Sequence, residues 1–170
     1  MSKKTLYLVR HAKSSWDDPS LSDFDRVLDS RGLRDAPRMA DFVSKKMDEA
    51  GGIKPLFISS PAKRAITTAQ IFAKAIGIGD EEIILETGIY HAYASDILSI
   101  IHGLHTETNT AFIFGHNPTF TEVANIFRKE RISEMPTCSI VRIEAKIDRW
   151  SDLNEKTVKK TDFWYPKMLP

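Results

Sequence analysis

The chain has 170 residues, about the length of one domain. Hydrophobic residues make up 42% of it and charged residues 28%, which is typical of globular proteins and not of disordered or fibrous ones. The 24 basic and 23 acidic side chains give a formal net charge of +1, too weak a field to hold nucleic acid or an anionic membrane. We therefore expect one domain over residues 1–170, no nucleic-acid or membrane partner, and any positive site confined to a small region.

The cysteine content and the N-terminal sequence bear on the cellular compartment. Cys138 is the only cysteine, so an internal disulfide is excluded, and one thiol cannot build a structural zinc site by itself. The apolar run 6–9 is too short for the apolar region of a signal peptide or for a membrane span. The sequence predicts a cytoplasmic protein.

The first predicted element is a buried strand over residues 5–9, which is rich in β-branched and aromatic side chains. Residues 12–29 have no sustained periodicity and predict a long loop, a kind of segment that is often functional. Ser30 is then expected to cap a helix that ends at the glycines 51–52.

Strands and helices alternate along the rest of the chain. The predicted strands cover residues 56–58, 83–85, 111–114 and 139–147, with an edge strand near 163–165, and the predicted helices cover 61–77, 95–104 and 121–127. Polar residues at every second position give strand 139–147 one solvent-facing side. The alternation predicts an α/β fold, a three-layer α/β/α sandwich with a mostly parallel sheet.

Cationic and imidazole side chains follow three of the predicted parallel strands. Arg10 and His11 end the first strand, Arg64 lies on the helix after the second, and His116 follows the strand 111–114. Ligands of such sheets bind beyond the carboxyl ends of the strands, so these side chains should converge on one crevice. Two guanidinium groups and two imidazoles around one point suit a dianion such as a phosphoryl group.

Four segments carry a family resemblance. Residues 8–16, which include Arg-His-Ala, and the segments 25–32, 58–69 and 115–118 resemble, in this order along the chain, sequence blocks of the histidine phosphatase superfamily. The short chain and the Arg-His-Ala variant are similar to the SixA-like branch of phosphohistidine phosphatases. The resemblance implies a phosphoglycerate mutase-like fold.

The resemblance also implies roles for the strand-end residues. His11 would be the nucleophile that becomes a transient phosphohistidine, and a neutral imidazole needs no separate base for this step. Arg10, Arg64 and His116 would bind the phosphoryl group and stabilise its transfer. Ser14 is a further candidate donor in the phosphate site, and no cofactor or metal is implied.

The chain departs from the family pattern at the acid of the mutases. No glutamate in residues 89–96 corresponds clearly to the residue that protonates an oxygen leaving group, and His91 is the nearest candidate acid. A phosphoramidate can leave as neutral imidazole, so the missing acid favours phosphohistidine over oxygen esters. Residues 87–109 have no room for a capping insertion, and an open site could admit a histidine on a protein surface.

The sequence thus predicts a phosphatase that works through a covalent phosphohistidine intermediate, with a phosphorylated protein as its most favoured partner. A broad-specificity phosphomonoesterase that acts on a small phosphoester is the first alternative. A noncatalytic phosphate-binding scaffold is the second. The physiological substrate and the oligomeric state stay open.

Other patterns point to rival chemistry. Residues 23–27 match the Asp-x-Asp-x-Val nucleophile motif of haloacid dehalogenase-type phosphatases, but no apolar strand precedes them. Arg142 follows Cys138 too closely for a tyrosine-phosphatase loop. His102 and His105 have helical spacing for a metal pair but lack an evident third ligand, so a solvated helix end is expected there.

Overall fold

The architecture comes from a computed structural model that describes residues 1–49 and 54–170. Within these residues the strands are β1 (Ser2–Arg10), β2 (Leu56–Ser59), β3 (Ile84–Leu85), β4 (Thr110–Gly115), β5 (Ile140–Ile147) and β6 (Val158–Trp164). The α-helices of the same residues are α1 (Ser30–Glu49), α2 (Lys63–Ile76), α3 (Ala94–His102) and α4 (Thr119–Phe127). No helix of the described residues is both long enough and apolar enough to span a lipid bilayer.

One sheet joins the strands in the order β3-β2-β4-β1-β5-β6. The first four strands of this order are parallel, and β5 and β6 are added in antiparallel pairing. The predicted α/β fold with a mostly parallel sheet is therefore confirmed, including the edge strand near the C-terminus. That strand is longer than predicted because its polar residues also pair with β5.

Alternate side chains of β1 point to opposite faces of the sheet and pack in two different apolar clusters. Leu6 and Leu8 lie in the apolar cluster that α3 and α4 cover, whereas Tyr7 and Val9 lie in the cluster that α1 and α2 cover. Side chains on both faces are buried because β1 has helices above and below it. The result is the predicted three-layer arrangement, with the loops at the carboxyl ends of β1, β2 and β4 on one edge.

The start of α1 differs from the prediction. Ser30 is the first helical residue, and the cap is Asp29, whose Oδ1 accepts a hydrogen bond from the Gly32 amide at 2.8 Å. The predicted helix end at Gly51 and Gly52 lies outside the described residues. Helix α2 begins two residues after Pro61 instead of on it.

The predicted solvent face of β5 is wrong at Arg142. This side chain is buried, its Nε and Nη2 donate to Asp162 on β6 at 2.9 and 2.7 Å, and its guanidinium lies 5.0 Å from the ring centroid of Trp164. An alternating polar residue can be buried when the neighbouring strand supplies a counter-ion. The sequence pattern alone did not indicate the pairing of Arg142 with Asp162.

Candidate active site

The carboxyl ends of three neighbouring strands meet at the predicted crevice. The His11 amide, directly after β1, donates to the carbonyl oxygen of Gly115 at the end of β4 at 3.0 Å. The Ser60 amide, after β2, donates to the Phe114 carbonyl oxygen at the same distance. These hydrogen bonds fix the starting points of the loops that carry the predicted site residues.

The structure brings all four strand-end residues together. The rings of His11 and His116 lie 5.2 Å apart, and the positive charges of Arg10 and Arg64 both act on the two imidazoles. This is the convergence that the strand-end topology predicts.

His11 is held as a neutral base. Its Nδ1 lies 2.8 Å from the carbonyl oxygen of Ala12, which can only accept, so Nδ1 carries the proton and the Nε2 lone pair is free. Burial lowers the pKa of His11 to about 3, against the opposing effect of the Ala12 hydrogen bond. At neutral pH the imidazole therefore offers an uncharged nucleophilic nitrogen.

His116 is also neutral, and its Nε2 is the ring nitrogen that has a protein partner. Its Nε2 lies 2.8 Å from the Ser60 hydroxyl oxygen, which also accepts a hydrogen bond from the Ala62 amide at 3.2 Å. The Ser60 hydroxyl can donate its proton to Nε2, and in that tautomer His116 carries its own proton on Nδ1. Burial lowers the pKa of His116 to about 3, with a further contribution from the Arg64 charge. His116 therefore presents a neutral N–H group.

Each arginine of the site is anchored at the end of its guanidinium, Arg10 through Nη1 and Arg64 through both terminal nitrogens. Arg10 Nη1 donates to the Met135 carbonyl oxygen at 2.7 Å and lies 3.6 Å from the Glu134 carboxylate. Arg64 Nη1 and Nη2 donate to the carbonyl oxygen and the Oδ2 of Asp23 at 2.7 and 3.1 Å. Both guanidinium groups are thus fixed at one end.

The donors that remain are buried and have no protein partner. In the described part of the chain, the buried side-chain atoms without a hydrogen bond are the Nε of Arg10, the Nε of Arg64, the Nδ1 of His116 and the hydroxyl of Ser139. Buried N–H groups are hydrogen-bonded in the great majority of cases, so the two Nε–H groups, and His116 Nδ1 in the tautomer that carries its proton there, require an acceptor. An anion with several oxygens, such as a phosphoryl group, supplies it.

Ser14, the fifth predicted phosphate-site residue, is buried in the same loop. Its hydroxyl oxygen accepts a hydrogen bond from Arg26 Nη1 at 2.5 Å, and the Arg26 guanidinium stacks 3.6 Å from the ring centroid of Trp16. The single proton of the Ser14 hydroxyl can therefore be donated to another acceptor. The structure therefore pairs Ser14 with Arg26, and the predicted donation to phosphate stays a prediction.

His91, the candidate acid, lies at the edge of the site. It is exposed, its backbone is in the left-handed region with φ of 59°, and its ring packs 4.0 Å from that of Tyr90. Its charge is among the causes that lower the pKa of His116, so the two rings are within electrostatic reach. The role of His91 as an acid stays a prediction.

Asp23 is a site residue that the sequence reasoning assigned to a rival motif. It lies in the loop between β1 and α1, where its carboxylate contacts Arg64, Arg26 and Tyr90. The Tyr90 hydrogen bond lowers the pKa of Asp23 to about 2, helped by the charge of Arg64. The spacing of Asp23 and Arg26 allowed a local ion pair, but nothing in the sequence indicated the partners Arg64 and Tyr90, which lie 41 and 67 residues further along the chain.

The other rival patterns have structural roles. Cys138 is buried, which raises the pKa of its thiol, and its amide donates to the carbonyl oxygens of Arg10 and His11. His102 Nε2 lies 3.0 Å from the Leu153 carbonyl oxygen, away from the strand-end crevice. Neither pattern contributes a reactive group to the site.

Comparison with known proteins places this fold and site in a family. The family model described as histidine phosphatase superfamily (branch 1) matches residues 6–90. An uncharacterized chloroplastic protein of Arabidopsis thaliana is 30% identical over 157 residues, which cover 88% of this chain and 70% of that protein. The crystal structure of a SixA protein from Agrobacterium tumefaciens has a TM-score of 0.77 at 28% identity and covers 96% of this chain and 98% of its own.

A further structure, the protein histidine phosphatase SixA complexed with tungstate, has the same fold with a TM-score of 0.71 at 15% identity, covering 95% of this chain and 94% of its own. The chain belongs to the histidine phosphatase superfamily, and its fold and family define it as a phosphatase. Within that superfamily it is a SixA-like member, as the short chain and the Arg-His-Ala sequence predicted.

Proposed function

We propose that this phosphatase removes the phosphoryl group from phosphohistidine on a partner protein, without a metal ion. The observation that carries the proposal is the neutral His11, with its Nε2 free, beside the three unpartnered donors of Arg10, Arg64 and His116. In-line phosphoryl transfer needs a nucleophile and a set of hydrogen-bond donors that bind the phosphoryl oxygens.

The reaction proceeds in two displacements. His11 Nε2 attacks phosphorus while the bond from phosphorus to the substrate imidazole breaks, and that imidazole leaves as a neutral ring after protonation at its second nitrogen. Water then attacks the phosphorylated His11, the new nitrogen–phosphorus bond breaks, and inorganic phosphate is released. The Nε groups of Arg10 and Arg64 hold phosphoryl oxygens during both steps.

The protonation states of the site support a nitrogen leaving group. The low pKa values of His11 and His116, about 3 for each, leave neither imidazole as a cationic acid near neutral pH. Without such an acid, an oxygen ester loses a proton-transfer contribution of about 100- to 10,000-fold. Phosphohistidine does not depend on that contribution, because solvent can protonate its ring.

The charge of the site supports a metal-free reaction. The phosphoryl oxygens would meet guanidinium and imidazole N–H groups, which supply the charge stabilisation that Mg²⁺ provides in other phosphoryl-transfer enzymes. The two carboxylates nearest to these donors, Asp23 and Glu134, are already engaged with Arg64 and Arg10. Activity in a chelator is the direct test.

The experiment compares three substrates at equal concentration in EDTA: a phosphohistidine-bearing protein, a phosphoserine-bearing protein and a sugar phosphate. We expect phosphate release from the first, with little from the other two and none by the His11→Ala variant. The matched control is His105→Ala, an exposed histidine whose ring, among the described residues, accepts a hydrogen bond from the Glu107 amide alone. Activity that requires added Mg²⁺, or that survives in His11→Ala, would contradict the mechanism.

Two alternatives give different results in the same assay. A small-molecule phosphomonoesterase would hydrolyse the sugar phosphate at least as fast, and the position of His91 at the edge of the site would make it the proton donor. His91→Ala would then slow the ester selectively. A noncatalytic scaffold would bind inorganic phosphate but release none from any substrate.

A further inference from the structure

Asp23 is the hub of a hydrogen-bond network beside the phosphate-binding donors. It accepts from Arg64 twice, through its backbone carbonyl oxygen at 2.7 Å and through its carboxylate Oδ2 at 3.1 Å. These two contacts engage both terminal nitrogens of the Arg64 guanidinium. The remaining nitrogen, Nε, is the buried atom without a partner.

The Asp23 carboxylate is itself fixed by two more side chains. Tyr90 donates its hydroxyl proton to Oδ2 at 2.7 Å, and Arg26 donates from Nε and Nη2 to Oδ1 at 3.2 and 3.1 Å. Arg26 is itself buried. Its guanidinium stacks on the Trp16 ring and its Nη1 donates to the Ser14 hydroxyl, and these contacts restrain its position. The carboxylate is therefore held from three directions, although nearly half of its side chain is exposed.

We propose that Asp23 is a positioning residue that locks the Arg64 guanidinium so that Nε points at the phosphoryl group. The inference rests on the phosphoryl-binding role proposed for Arg64. Asp23 is the first residue of the segment 23–27, which resembles a nucleophile motif. In this proposal Asp23 acts on phosphoryl transfer by holding Arg64, and it does not attack phosphorus itself.

A positioning role must be distinguished from competition, because a carboxylate on Arg64 could also occupy the place of the substrate phosphate. Two observations favour positioning. The contact uses the ends of the guanidinium and leaves Nε free, and the Asp23 backbone carbonyl, which does not resemble a phosphate, makes the shorter of the two bonds. The hydrogen bonds from Tyr90 and Arg26 also hold the Asp23 carboxylate in place, so that it stays on Arg64 when an anion binds.

The test is a double-mutant cycle between Asp23 and Arg64, made with Asp23→Asn, Arg64→Ala and the double variant. Two quantities are measured for each protein: kcat and KM on a phosphohistidine-bearing protein, and the inhibition or dissociation constant of orthovanadate, a mimic of the phosphoryl-transfer transition state. We expect Asp23→Asn to lower kcat and to weaken orthovanadate binding roughly 10- to 100-fold, the scale of a small misplacement of a catalytic group. In the Arg64→Ala background the same change should have less than about a 2-fold effect, because its target is gone.

Tyr90→Phe removes one of the donors to Asp23 and should give a smaller loss in the same direction. The matched control is Asp25→Asn on the same loop. Within the described part of the chain the Asp25 carboxylate accepts from the Ser22 hydroxyl alone, so this variant should leave both quantities unchanged. Tighter orthovanadate binding by Asp23→Asn, or equal effects in both backgrounds, would overturn the proposal. If the wild type binds orthovanadate but does not hydrolyse phosphohistidine, the proposed function fails while the binding cycle still tests Asp23.

Discussion

The two histidines of the site are buried as neutral rings, and this has a consequence for stability at the scale of single residues. Each has a pKa of about 3 in the folded protein, below the ordinary value of about 6.5 in the unfolded chain. Between these values the unfolded state binds more protons, so the free energy of unfolding falls as the pH falls. Above about pH 6.5 both states are neutral and these rings contribute no pH dependence.

We expect the free energy of unfolding to decrease by up to about 1.4 kcal/mol per pH unit for each ring below pH 6.5. Urea unfolding at several pH values between about 7 and 4.5 measures this slope. The variant with His11→Gln and His116→Gln should lose most of it, whereas the exposed control His105→Gln should keep it. An unchanged slope in the double variant would show that other groups cause the pH dependence.

Ser60 gives a second prediction at this scale, because its hydroxyl is the hydrogen-bond partner of His116 Nε2 and, as the donor, favours the tautomer with the proton on Nδ1. Ser60→Ala should let His116 populate both tautomers and should lower kcat/KM on phosphohistidine by roughly 10-fold or more. Long-range ¹H–¹⁵N spectra report the tautomer directly. The control is Ser59→Ala, which removes an equally buried hydroxyl that donates to the Ser60 carbonyl oxygen and does not contact His116. Equal activity of the two variants would contradict the role of Ser60.

At the scale of elements, the first turn of α1 supports the loop that follows His11. Gly32 lies so close to this loop that a Cβ there would come within 2.2 Å of the Lys13 carbonyl oxygen. The same oxygen accepts a hydrogen bond from the Asp29 amide at 3.0 Å, and Ser14 pairs with Leu28 in a short antiparallel bridge. The glycine is therefore required by the close contact of helix and loop, and not by an unusual φ angle.

We expect Gly32→Ala to destabilise the protein by about 1–3 kcal/mol, because a backbone atom must move to admit the methyl group. Activity should fall as well, since the shift propagates to Ser14 and the site. Gly103→Ala at the end of α3, where the nearest atom to the new Cβ is the Ser99 carbonyl oxygen at 3.2 Å instead of 2.2 Å, should destabilise the protein less than Gly32→Ala. Chemical denaturation and kcat/KM of both variants check the pair.

Over the whole molecule, the features that the sequence predicted correctly follow from local patterns combined with one topological rule. Buried strands and amphipathic helices are visible in a few neighbouring residues, and parallel strands send Arg10, His11 and His116 to the same edge. The contacts that tune these groups were not predictable. The Arg10 contact with Met135 joins residues 125 positions apart, and no local pattern specifies such a pairing.

The same reasoning explains the errors in individual elements. Arg142 was expected in solvent because it alternates with apolar residues, but Asp162 on the neighbouring strand buries it in an ion pair. Ser30 was expected to cap α1 because serine is a common cap, but Asp29 precedes it and makes the same hydrogen bond. The Arg142 error comes from a partner on another strand, whereas the Ser30 error is a choice between two adjacent residues that both suit the cap position.

The charge balance of the whole molecule leads to a last prediction. The formal net charge is +1, Arg10 is paired with Glu134, and Arg64 and Arg26 share Asp23, so these five side chains together carry one unbalanced positive charge. The long-range field that would draw an anionic substrate from solution is correspondingly weak. Affinity for the phosphoryl group should come instead from hydrogen bonds at contact distance, where screening by salt is small.

We therefore expect kcat/KM for free phosphohistidine to change by less than about 3-fold when the ionic strength is raised from roughly 0.05 to 0.3 M, a range over which the Debye length falls from about 14 Å to about 6 Å. The Glu134→Gln variant leaves Arg10 without its counter-ion and should show higher kcat/KM at low salt and a steeper salt dependence. Steady-state rates at constant substrate and several salt concentrations, repeated with two different salts to separate screening from anion competition, measure both proteins. A steep salt dependence of kcat/KM in the wild type would contradict this prediction. It would mean that other cationic side chains on the surface attract the substrate, whether or not Asp23 and Glu134 neutralise the arginines of the site.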